Sequence, residues 1–383
     1  MSSIQQILAS ILNAVYGKDV RQAIHDGVEM AYNKADDAAT SAAAAAEAAS
    51  GSQESAAASA QAASNSASSA SDFADAAEQY KNEAFHTTPA GYEAFVGEVN
   101  AALTKRAVLT HNIPRLVPKD ITSYVTDGTL WQRLNGTNGF ELFEDIYCGD
   151  YIHMSRAISA YEQTQTYQAT GSDYVTIAEI DGKMGDGDSI PVNYHHLVMV
   201  PGKGFGGTQH FGRSRMNATN TTVGGYKGSE MFTTTIGTVA SSGSTASQAT
   251  INQQLYSEFG SHLKTIRQLL SNSINETGYN RFGTNSGCTN NWEWTNVQAF
   301  LMSEIEVYGS VVWGSSGFDV GHGNHQFTLF RHSKEAMNNK TAYYWLKDVA
   351  AAAYFAYVHD DGDAYYNGAS HAYYCVRPCF VIA

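Results

Sequence analysis

The hydrophobic positions of the chain follow a helical spacing near the N-terminus and a strand-like alternation in its second half. Apolar residues three and four positions apart predict two short helices, the first ended by Gly17 and the second capped by Asp19. The apolar stripe of the first helix consists of Ile4, Ile7, Leu8, Ile11, Leu12 and Val15. So short a helix leaves its stripe exposed unless it packs on another surface. Residues 1–34 are therefore expected to form a helical docking or trimerising segment, with a helical hairpin on the chain's own body as the alternative.

The next segment is built almost entirely from small residues. About three-quarters of the residues from Ala35 to Ala70 are Ala or Ser. Ala favours the helix, but such small side chains cannot form an ordinary core. The segment therefore predicts either a flexible linker, weakened at Gly51, or a thin bundle of identical helices whose backbones approach closely. We predict a helical stalk or coiled coil over residues 35–85, in the form of a homotrimer.

Turn-forming residues and a change of composition mark the rest of the chain. Breaks at Pro89 and at "NIPRLVPKD" enclose a predicted helix over residues 92–107, within a connector placed at residues 86–139. Farther on, "DYVTIAEIDG" and "NYHHLVMVPG" predict strands, and "INQQLYSEFGSHLKTIRQLLSN" predicts one long helix. The stretches "VVWGSSGFD" and "QFTLFRHS" predict further strand and loop pieces. Residues 140–383 are therefore expected to form an α+β domain.

Composition narrows the class of partner. The formal net charge of −14 argues against nucleic acid, because phosphate binding needs clustered Lys and Arg. No apolar run reaches the roughly 20 residues of a membrane span, so membrane insertion is not expected, and the first residues do not have the pattern of a signal peptide. Four cysteines are expected to be reduced and mostly buried, because they are too scattered for a disulfide framework. They are Cys148, Cys288, Cys375 and Cys379.

Candidate catalytic and metal-binding motifs are sparse. The Gly-rich residues 202–207 lack the Lys-Ser/Thr ending of a phosphate loop, and the Asp/Gly-rich residues 181–188 lack the spacing and the Glu of a calcium loop. His322 and His325 have no evident carboxylate or Cys partner nearby. The neighbouring residues His195 and His196 are expected to alternate across a strand, so that they cannot both face one site. The sequence therefore predicts no catalytic residue, metal or cofactor.

The segment from Ala353 to Pro378 uses an unusually narrow alphabet. It has six Tyr, three Asp, two His and one Asn, and it has no Lys, Glu, Gln, Leu, Ile, Met or Trp. In a strand, Phe355 and Val358 would serve the core while Tyr354, Tyr357 and His359 point outward, and residues 360–362 would form a turn. Tyr supplies a large contact surface with few rotatable bonds, and Asn, Ser, Asp and His supply adaptable hydrogen bonds, as in antibody loops. The alternative is an ordinary Tyr-rich hairpin at a domain surface.

The C-terminal residues are predicted to divide into a displayed set and a scaffold. The displayed, ligand-binding set is predicted to be Tyr354, Tyr357, His359, Asp360, Asp361, Asp363, Tyr365, Tyr366, Asn367, His371, Tyr373 and Tyr374. The scaffold is predicted to be Trp345, Phe355, Val358, Val376, Arg377, Pro378 and Phe380. Arg377 is expected to pair with a buried carboxylate or with carbonyl groups, because its neighbours are apolar.

Three stretches resemble known families. "ILNAVYGKDVRQAIHDGVEMAY" resembles the opening of tail, baseplate and receptor-binding proteins from phages of Gram-positive bacteria, and Ala/Ser-rich stretches occur in fibrous phage tail proteins. "YYWLKDVAAAAYFAYVHDDGDAYYNGASHAYYCVRPCFVI" resembles the variable region of retroelement-diversified proteins of the major-tropism-determinant type, with its "WLR…F-x-x-V…G…AS…VRP-x-F" frame. "GYKGSEMFTTTIGTV" resembles the body that precedes this region in gut-phage tail proteins. The chain departs from the frame at Lys347, where Arg is usual, and at Cys375, where Gly is frequent.

The resemblance implies an origin for the narrow alphabet and a function. Such families mutate template adenines, and an AAC or AAT codon so mutated can give Asn, Asp, His, Tyr, Ser, Ala, Gly, Thr and a few other residues, but not Lys, Glu, Gln, Met or Trp. It implies a C-type lectin-like fold, related to that of formylglycine-generating enzymes, with a variable region at residues 345–379. It also implies a non-enzymatic phage receptor-binding protein on the virion, at the tail tip or fibre. Its partners would be a bacterial surface protein or glycan and other tail or baseplate proteins.

Other functions stay open. A purely structural baseplate protein would bury the Tyr-rich face against its neighbours. A host-envelope hydrolase would release fragments from the host surface. An oxidase of the sulfatase-modifying type would need a reactive cysteine pair, for which Cys375 and Cys379 are the close candidates, although they would lie roughly 13 Å apart on an extended strand. A sugar ligand does not follow from the fold, because no convincing Ca²⁺ site is predicted.

Overall fold

The computed structural model describes residues 18–48, 61, 63–75, 89–161, 170–274, 289–314, 325–338 and 342–383. The chain divides into two compact units, Met1–Leu103 and Thr104–Ala383. The first predicted helix, over residues 3–15, lies outside the described residues, as does Cys288.

The N-terminal unit is helical in all its described residues. Helix α1 (Lys18–Ala48) joins the second predicted helix and the start of the predicted stalk in one element, and residues 63–75 are also helical. Residues 25–29 and 31–42 are exposed in the single chain, so this part of α1 buries no core of its own. Helix α2 (Pro89–His111) begins in this unit and ends in the next; it contains the predicted 92–107 helix and extends it at both ends. Pro89 fits its first turn, where a backbone N–H would have no partner within the helix.

The C-terminal unit mixes short helices with antiparallel sheets, which confirms the α+β prediction. Its helices are α3 (Thr122–Thr126), α4 (Thr129–Asn135), α5 (Ile251–Phe259), α6 (Glu304–Tyr308), α7 (Thr328–His332) and α8 (Lys334–Met337), with a π-helix at Met231–Gly237 and a 3₁₀ turn at Gly260–His262. Its strands are β1 (Tyr151–His153), β2 (Tyr174–Ile180), β3 (Leu197–Pro201), β4 (Ile266–Ile274), β5 (Thr289–Val297), β6 (Ala299–Leu301), β7 (Tyr344–Ala351), β8 (Tyr354–Val358), β9 (Ala364–Gly368) and β10 (Pro378–Ile382).

The strands form three sheets. A five-stranded sheet has the order β1-β2-β3-β10-β6, a two-stranded sheet pairs β4 with β5, and a three-stranded sheet has the order β7-β8-β9. The predicted strands in "DYVTIAEIDG" and "NYHHLVMVPG" are confirmed as β2 and β3. The last strand, β10, lies between β3 and β6, with Phe380 opposite Met199 on one side and opposite Ala299 on the other. The C-terminal residues are therefore fixed within the larger sheet.

Two predictions of local structure are wrong. The predicted long helix ends at Phe259, because Gly260 adopts φ +55° and ψ −132°, and the chain then continues into β4. Burial alternates along the first residues of β4, so every second side chain there faces the core, as in a strand with one buried face. "QFTLFRHS" forms the helix α7 rather than a strand or loop, with Thr328, Leu329 and Phe330 buried. The periodicity of so short an apolar run does not distinguish a helix from a strand.

One hydrophobic core connects the elements of the C-terminal unit. It includes Ile177 of β2, Met199 of β3, Leu255 of α5, Trp345 of β7 and Phe380 of β10. Cys148, Cys375 and Cys379 are buried and free, as predicted for reduced thiols. Among the described helices, none has the length and apolarity that crossing a bilayer requires.

Candidate functional site

The frame of the candidate site is a set of buried side chains from β7, β8 and β10. All seven predicted scaffold residues are buried, as expected. The Trp345 indole Nε1 donates a hydrogen bond to the Ser214 carbonyl over 3.0 Å. Arg377 donates to the carbonyls of Ala336 at 2.6 Å and Met337 at 3.2 Å, which confirms the carbonyl alternative of the prediction. These hydrogen bonds connect β7 to the carbonyl of Ser214 and the residue before β10 to helix α8.

The Arg377 guanidinium is also enclosed by aromatic rings. It lies 5.1 Å from the ring centre of Phe330 and 4.9 Å from that of Tyr344. Burial lowers the pKa of Arg377 below its ordinary value, but Tyr344 opposes this shift. The residue therefore acts as a buried structural cation and is not available to a ligand.

Two predicted surface residues form an aromatic floor instead. Tyr357 is 4% exposed and Tyr374 is 7% exposed, so the expectation that both are displayed is wrong. Their rings stack with centres 4.6 Å apart, and Trp345 lies 4.6 Å from Tyr374. Four of the five residues of strand β8 are buried, so its side chains are covered on both faces of the sheet and the predicted alternation of inward and outward side chains is wrong. Burial raises the pKa of Tyr357.

Three tyrosines remain open to solvent around this floor. Tyr354, Tyr365 and Tyr373 are 38%, 49% and 40% exposed, as predicted. Tyr366 is half-buried; its ring stacks on Tyr365 with centres 5.3 Å apart and lies 5.7 Å from Tyr354. The exposed rings are connected through other rings: Tyr365 lies 5.8 Å from Tyr357 of the floor, Tyr373 lies 6.4 Å from Tyr374 of the floor, and Tyr354 is connected through Tyr366. We call Tyr354, Tyr365, Tyr366 and Tyr373, with the floor beneath them, the aromatic face.

The turn between β8 and β9 adds an acidic edge to the aromatic face. His359 Nδ1 lies 2.8 Å from a carboxylate oxygen of Asp360 and 2.8 Å from one of Asp361. The Asp363 backbone N–H donates to Asp361, which holds the pKa of that carboxyl below its ordinary value. Gly362 has φ +93°, a conformation that side-chain-bearing residues rarely adopt, and the predicted turn at residues 360–362 is confirmed. Asp361 and Asp363 are exposed.

The remaining two predicted site residues lie at the opposite end of β9. Asn367 is half-buried and donates through Nδ2 to the Tyr374 hydroxyl, while its Oδ1 accepts from the Gly368 N–H at 2.7 Å. His371 is exposed, with its ring 5.9 Å from Tyr374. Asn367 therefore fixes the floor from the side, whereas His371 is displayed.

Sequence reasoning missed three aromatic or cationic members of this surface. Tyr343 lies directly before β7, with its ring 4.7 Å from His359 and 5.3 Å from Tyr374. The negative charge of Asp360 raises the pKa of Tyr343, so the acidic edge is close enough to act electrostatically on this ring. The Arg213 guanidinium lies 4.4 Å from the ring centre of Tyr373. Tyr343 could have been found from its place beside the "WLK" frame, but nothing in the sequence links Arg213 to this surface.

Trp313 is the third missed residue. Its indole Nε1 donates to the Ala364 carbonyl at 3.0 Å, and its ring lies 4.8 Å from Tyr366. The loop that carries it is held by Glu304, which is fully buried. The Glu304 carboxylate accepts from the backbone N–H groups of residues 312, 313 and 314 at 2.9 to 3.0 Å. Trp313 thus joins the aromatic face from outside the predicted variable region.

The acidic loop at residues 181–188 contains an internal cation. Lys183 is buried, and its Nζ lies 2.5 Å from Glu306 and 3.6 Å from Asp186. Gln268 donates to the same Asp186 carboxylate at 2.8 Å. Lys347, which stands where the variable-region frame usually has Arg, is buried with its Nζ 3.8 Å from Glu306. These buried ion pairs connect the loop to Lys347 of β7 and thereby stabilise the frame.

Three histidines singled out in the sequence, at residues 195, 196 and 325, have carboxylate partners. His325 lies 2.7 Å from Glu179, so the expectation of no nearby carboxylate is wrong; the two are far apart in sequence and meet through the fold. His322 lies outside the described residues. His195 and His196 both approach Asp181, at 2.7 and 3.6 Å, which corrects the prediction that they cannot face one site. They precede β3 and are not on it, so strand alternation does not separate them.

Two groups of described side chains have the donor atoms and spacing to hold a metal ion. They are His359 with Asp360 and Asp361, and His25 with Asp26 and Glu29, each with its ligand atoms within 4.8 Å of one another. The second group is fully exposed on α1, and the first is the acidic edge described above. Exposed acidic groups of this kind are common without an ion, so neither group is assigned as a metal site.

Comparison with known proteins gives one similarity. Residues 239–383 match the model of a domain of unknown function (DUF6273). The match includes all of the three-stranded sheet and the predicted variable region. No curated protein and no solved structure matches the chain.

Proposed function

We propose that this protein is a receptor-binding, host-adhesion protein of a phage tail, and that the aromatic face is its ligand-binding surface. The observation that carries the proposal is a group of exposed tyrosine rings that are connected through half-buried Tyr366 and through a buried, hydrogen-bonded aromatic floor. Tyrosine and tryptophan dominate the energetics of protein interfaces because they bury large areas at low conformational cost. A face already ordered by its floor loses little further entropy when it binds.

The proposal includes the fold and the assembly expected from the sequence. The C-terminal unit would be a C-type lectin-like scaffold, the N-terminal segment would dock onto tail or baseplate proteins, and the stalk would form a homotrimer on the virion. The burial of every predicted scaffold residue supports a C-terminal scaffold that carries the face. The exposure of α1 in the single chain supports a stalk that packs against other chains. Several copies on one virion would raise avidity by roughly 10²–10⁴-fold if they bind simultaneously, so that weak single contacts suffice.

Adhesion is tested with the purified full chain, labelled with a fluorophore and mixed with a panel of bacterial strains. Wild-type protein should bind a subset of strains in flow cytometry. The variant with Tyr354→Ala, Tyr365→Ala and Tyr373→Ala should bind them at least tenfold less, because three exposed rings of the aromatic face are removed. A control with Ile190→Ala and Val239→Ala removes exposed apolar side chains elsewhere and should bind normally. Equal binding by the tyrosine variant would refute the assignment of the face.

The alternative functions give different results in companion experiments. Antibody against the aromatic face should block adsorption of the phage; failure to block would favour a structural protein whose face is covered within the virion. Release of soluble fragments from host envelope would favour a hydrolase. Diversification is tested separately in the genome: a near-copy of the 3′ end of the gene, differing almost only at adenines and next to a reverse transcriptase, is expected.

A further inference from the structure

We propose that the aromatic face selects a protein segment that presents a guanidinium or ammonium group, that is, an Arg- or Lys-containing loop on the host surface. This inference rests on the proposed function and deepens it by naming the chemistry of the partner. It combines the acidic edge, the exposed ring faces and the overall charge of the chain.

The acidic edge is close enough to the rings for one ligand group to touch both. His359 contacts Asp360 and Asp361 at 2.8 Å, and its ring centre lies 4.7 Å from Tyr343 and 6.5 Å from Tyr365. A cation over Tyr365 would therefore lie within one side-chain length of a carboxylate. Carboxylate pairing and the negative face of an aromatic ring both favour a positive charge, and the two attractions act in the same direction.

The protein already has one contact between a guanidinium group and a tyrosine ring, at the margin of the same surface. The Arg213 guanidinium lies over the ring of Tyr373 at 4.4 Å. That ring is 40% exposed, and Tyr354 and Tyr365 are exposed to a similar degree. Arg is also the charged residue most enriched at interface hot spots. The internal contact shows the stacking geometry that an arginine from a partner would adopt on a neighbouring ring.

Charge complementarity favours this class of partner over an anionic polymer. The chain has a formal net charge of −14, and the exposed Asp361 and Asp363 lie at the edge of the aromatic face. A polyphosphate chain would be repelled on approach, whereas a basic loop would be attracted at long range. A neutral glycan could stack on the rings but would gain nothing from the carboxylate charge. Discrimination between a charged and an isosteric neutral ligand is therefore the decisive property.

The test uses two immobilised peptides that differ only in charge. One displays arginine residues separated by Gly-Ser spacers, and the other has citrulline at each arginine position. The full chain should bind the arginine peptide at least tenfold more tightly in biolayer interferometry, and the preference should shrink as salt rises from 50 to 500 mM. Asp361→Asn with Asp363→Asn should reduce arginine binding at least fivefold, because both carboxylates are exposed at the edge.

A matched control separates the face from the net charge of the chain. Asp72→Asn with Asp75→Asn makes the same change in net charge at exposed positions of residues 63–75 and should leave arginine binding unchanged. Equal loss in both double variants would show general electrostatic attraction and would overturn the inference. Equal binding of the arginine and citrulline peptides would also overturn it, as would binding to a neutral glycan array that survives the Asp361 and Asp363 changes.

The results keep this inference separate from the proposed function. If labelled protein adheres to cells even after the cells are treated with protease, and the two peptides bind equally, adhesion stands and the cationic partner is refuted. If the peptides are discriminated but no strain is bound, the ligand chemistry stands and the adhesion proposal fails.

Discussion

The loop that places Trp313 on the aromatic face provides the sharpest test of how the surface is held together. Glu304 is fully buried, and its carboxylate accepts three successive backbone N–H groups, from residues 312 to 314. We predict that Glu304→Gln releases this loop. The substitution keeps the size of the side chain but replaces one acceptor oxygen with an NH₂ group, which would point a donor at backbone donors.

The magnitude follows from the contacts that are lost. Hydrogen bonds to a charged group contribute about 1.5–3 kcal/mol each, and a buried donor left without a partner costs about 1–3 kcal/mol. The carbonyl of Gln can still accept one or two of the three N–H groups. We therefore expect the free energy of unfolding to fall by about 2–5 kcal/mol, which is a large part of the 5–15 kcal/mol typical of a domain.

Two measurements test this prediction. Urea unfolding gives the change in stability, and hydrogen exchange of the amides of residues 310–314 reports whether the loss is local. Glu335→Gln, at an exposed position of α8, is the matched control and should change stability by less than about 0.5 kcal/mol. Exchange at residues 312–314 that is as slow as in the wild type, with a stability loss below about 0.5 kcal/mol, would refute the assigned role of Glu304.

Three further changes test the frame. Burial raises the pKa of Glu306, but the charges of Lys183 and Lys347 outweigh burial and lower this pKa from 4.5 to about 2. The stabilisation that the Glu306 carboxylate provides is therefore complete above pH 4.5 and is lost as the pH falls toward 2. Glu306→Gln should abolish this part of the acid sensitivity when unfolding is measured across pH. Arg377→Met should lose about 2–4 kcal/mol in urea unfolding, because two carbonyls lose their buried donor; no loss would contradict that role. Gly362→Ala should lose about 1–2 kcal/mol through backbone strain at φ +93°, and an unchanged melting temperature would show that the turn adopts another conformation.

Local patterns predicted those parts of the fold that local physics decides. The strands β2 and β3 were predictable because apolar and β-branched residues in "DYVTIAEIDG" and "NYHHLVMVPG" are bounded by turn residues. The end of α5 was not, because the apolar residues after it keep a helical spacing by chance. Gly260 decides the outcome there: its left-handed φ stops the helix, and the partner strand β5 then supplies the hydrogen bonds that favour β4.

The candidate site divides in the same way. Its scaffold was predictable because Trp345, Phe355 and Phe380 are large apolar residues that a domain of this size must bury. The burial of Tyr357 was not predictable, because tyrosine has an apolar ring and a polar hydroxyl and therefore occurs both in cores and on surfaces. The packing of Trp345, Tyr365 and Tyr374 around the ring of Tyr357 determines which occurs. Trp313 was missed for a related reason: it is separated by about 50 residues from the ring it touches, and the contact depends on the loop around Glu304.

The layered arrangement also limits what a variable alphabet could change. Tyr357 and Tyr374 form the floor, so a smaller side chain at either position would leave a cavity beneath the face and reduce stability. Tyr354, Tyr365 and Tyr373 extend into solvent, so a change there would alter the contact surface at little cost to the fold. If the segment is diversified, tolerated variation should therefore concentrate at the three exposed positions, and the two floor positions should mostly keep an aromatic ring. A narrow alphabet in the sequence does not by itself define a binding surface, because the tertiary structure assigns some of its members to the support of the others.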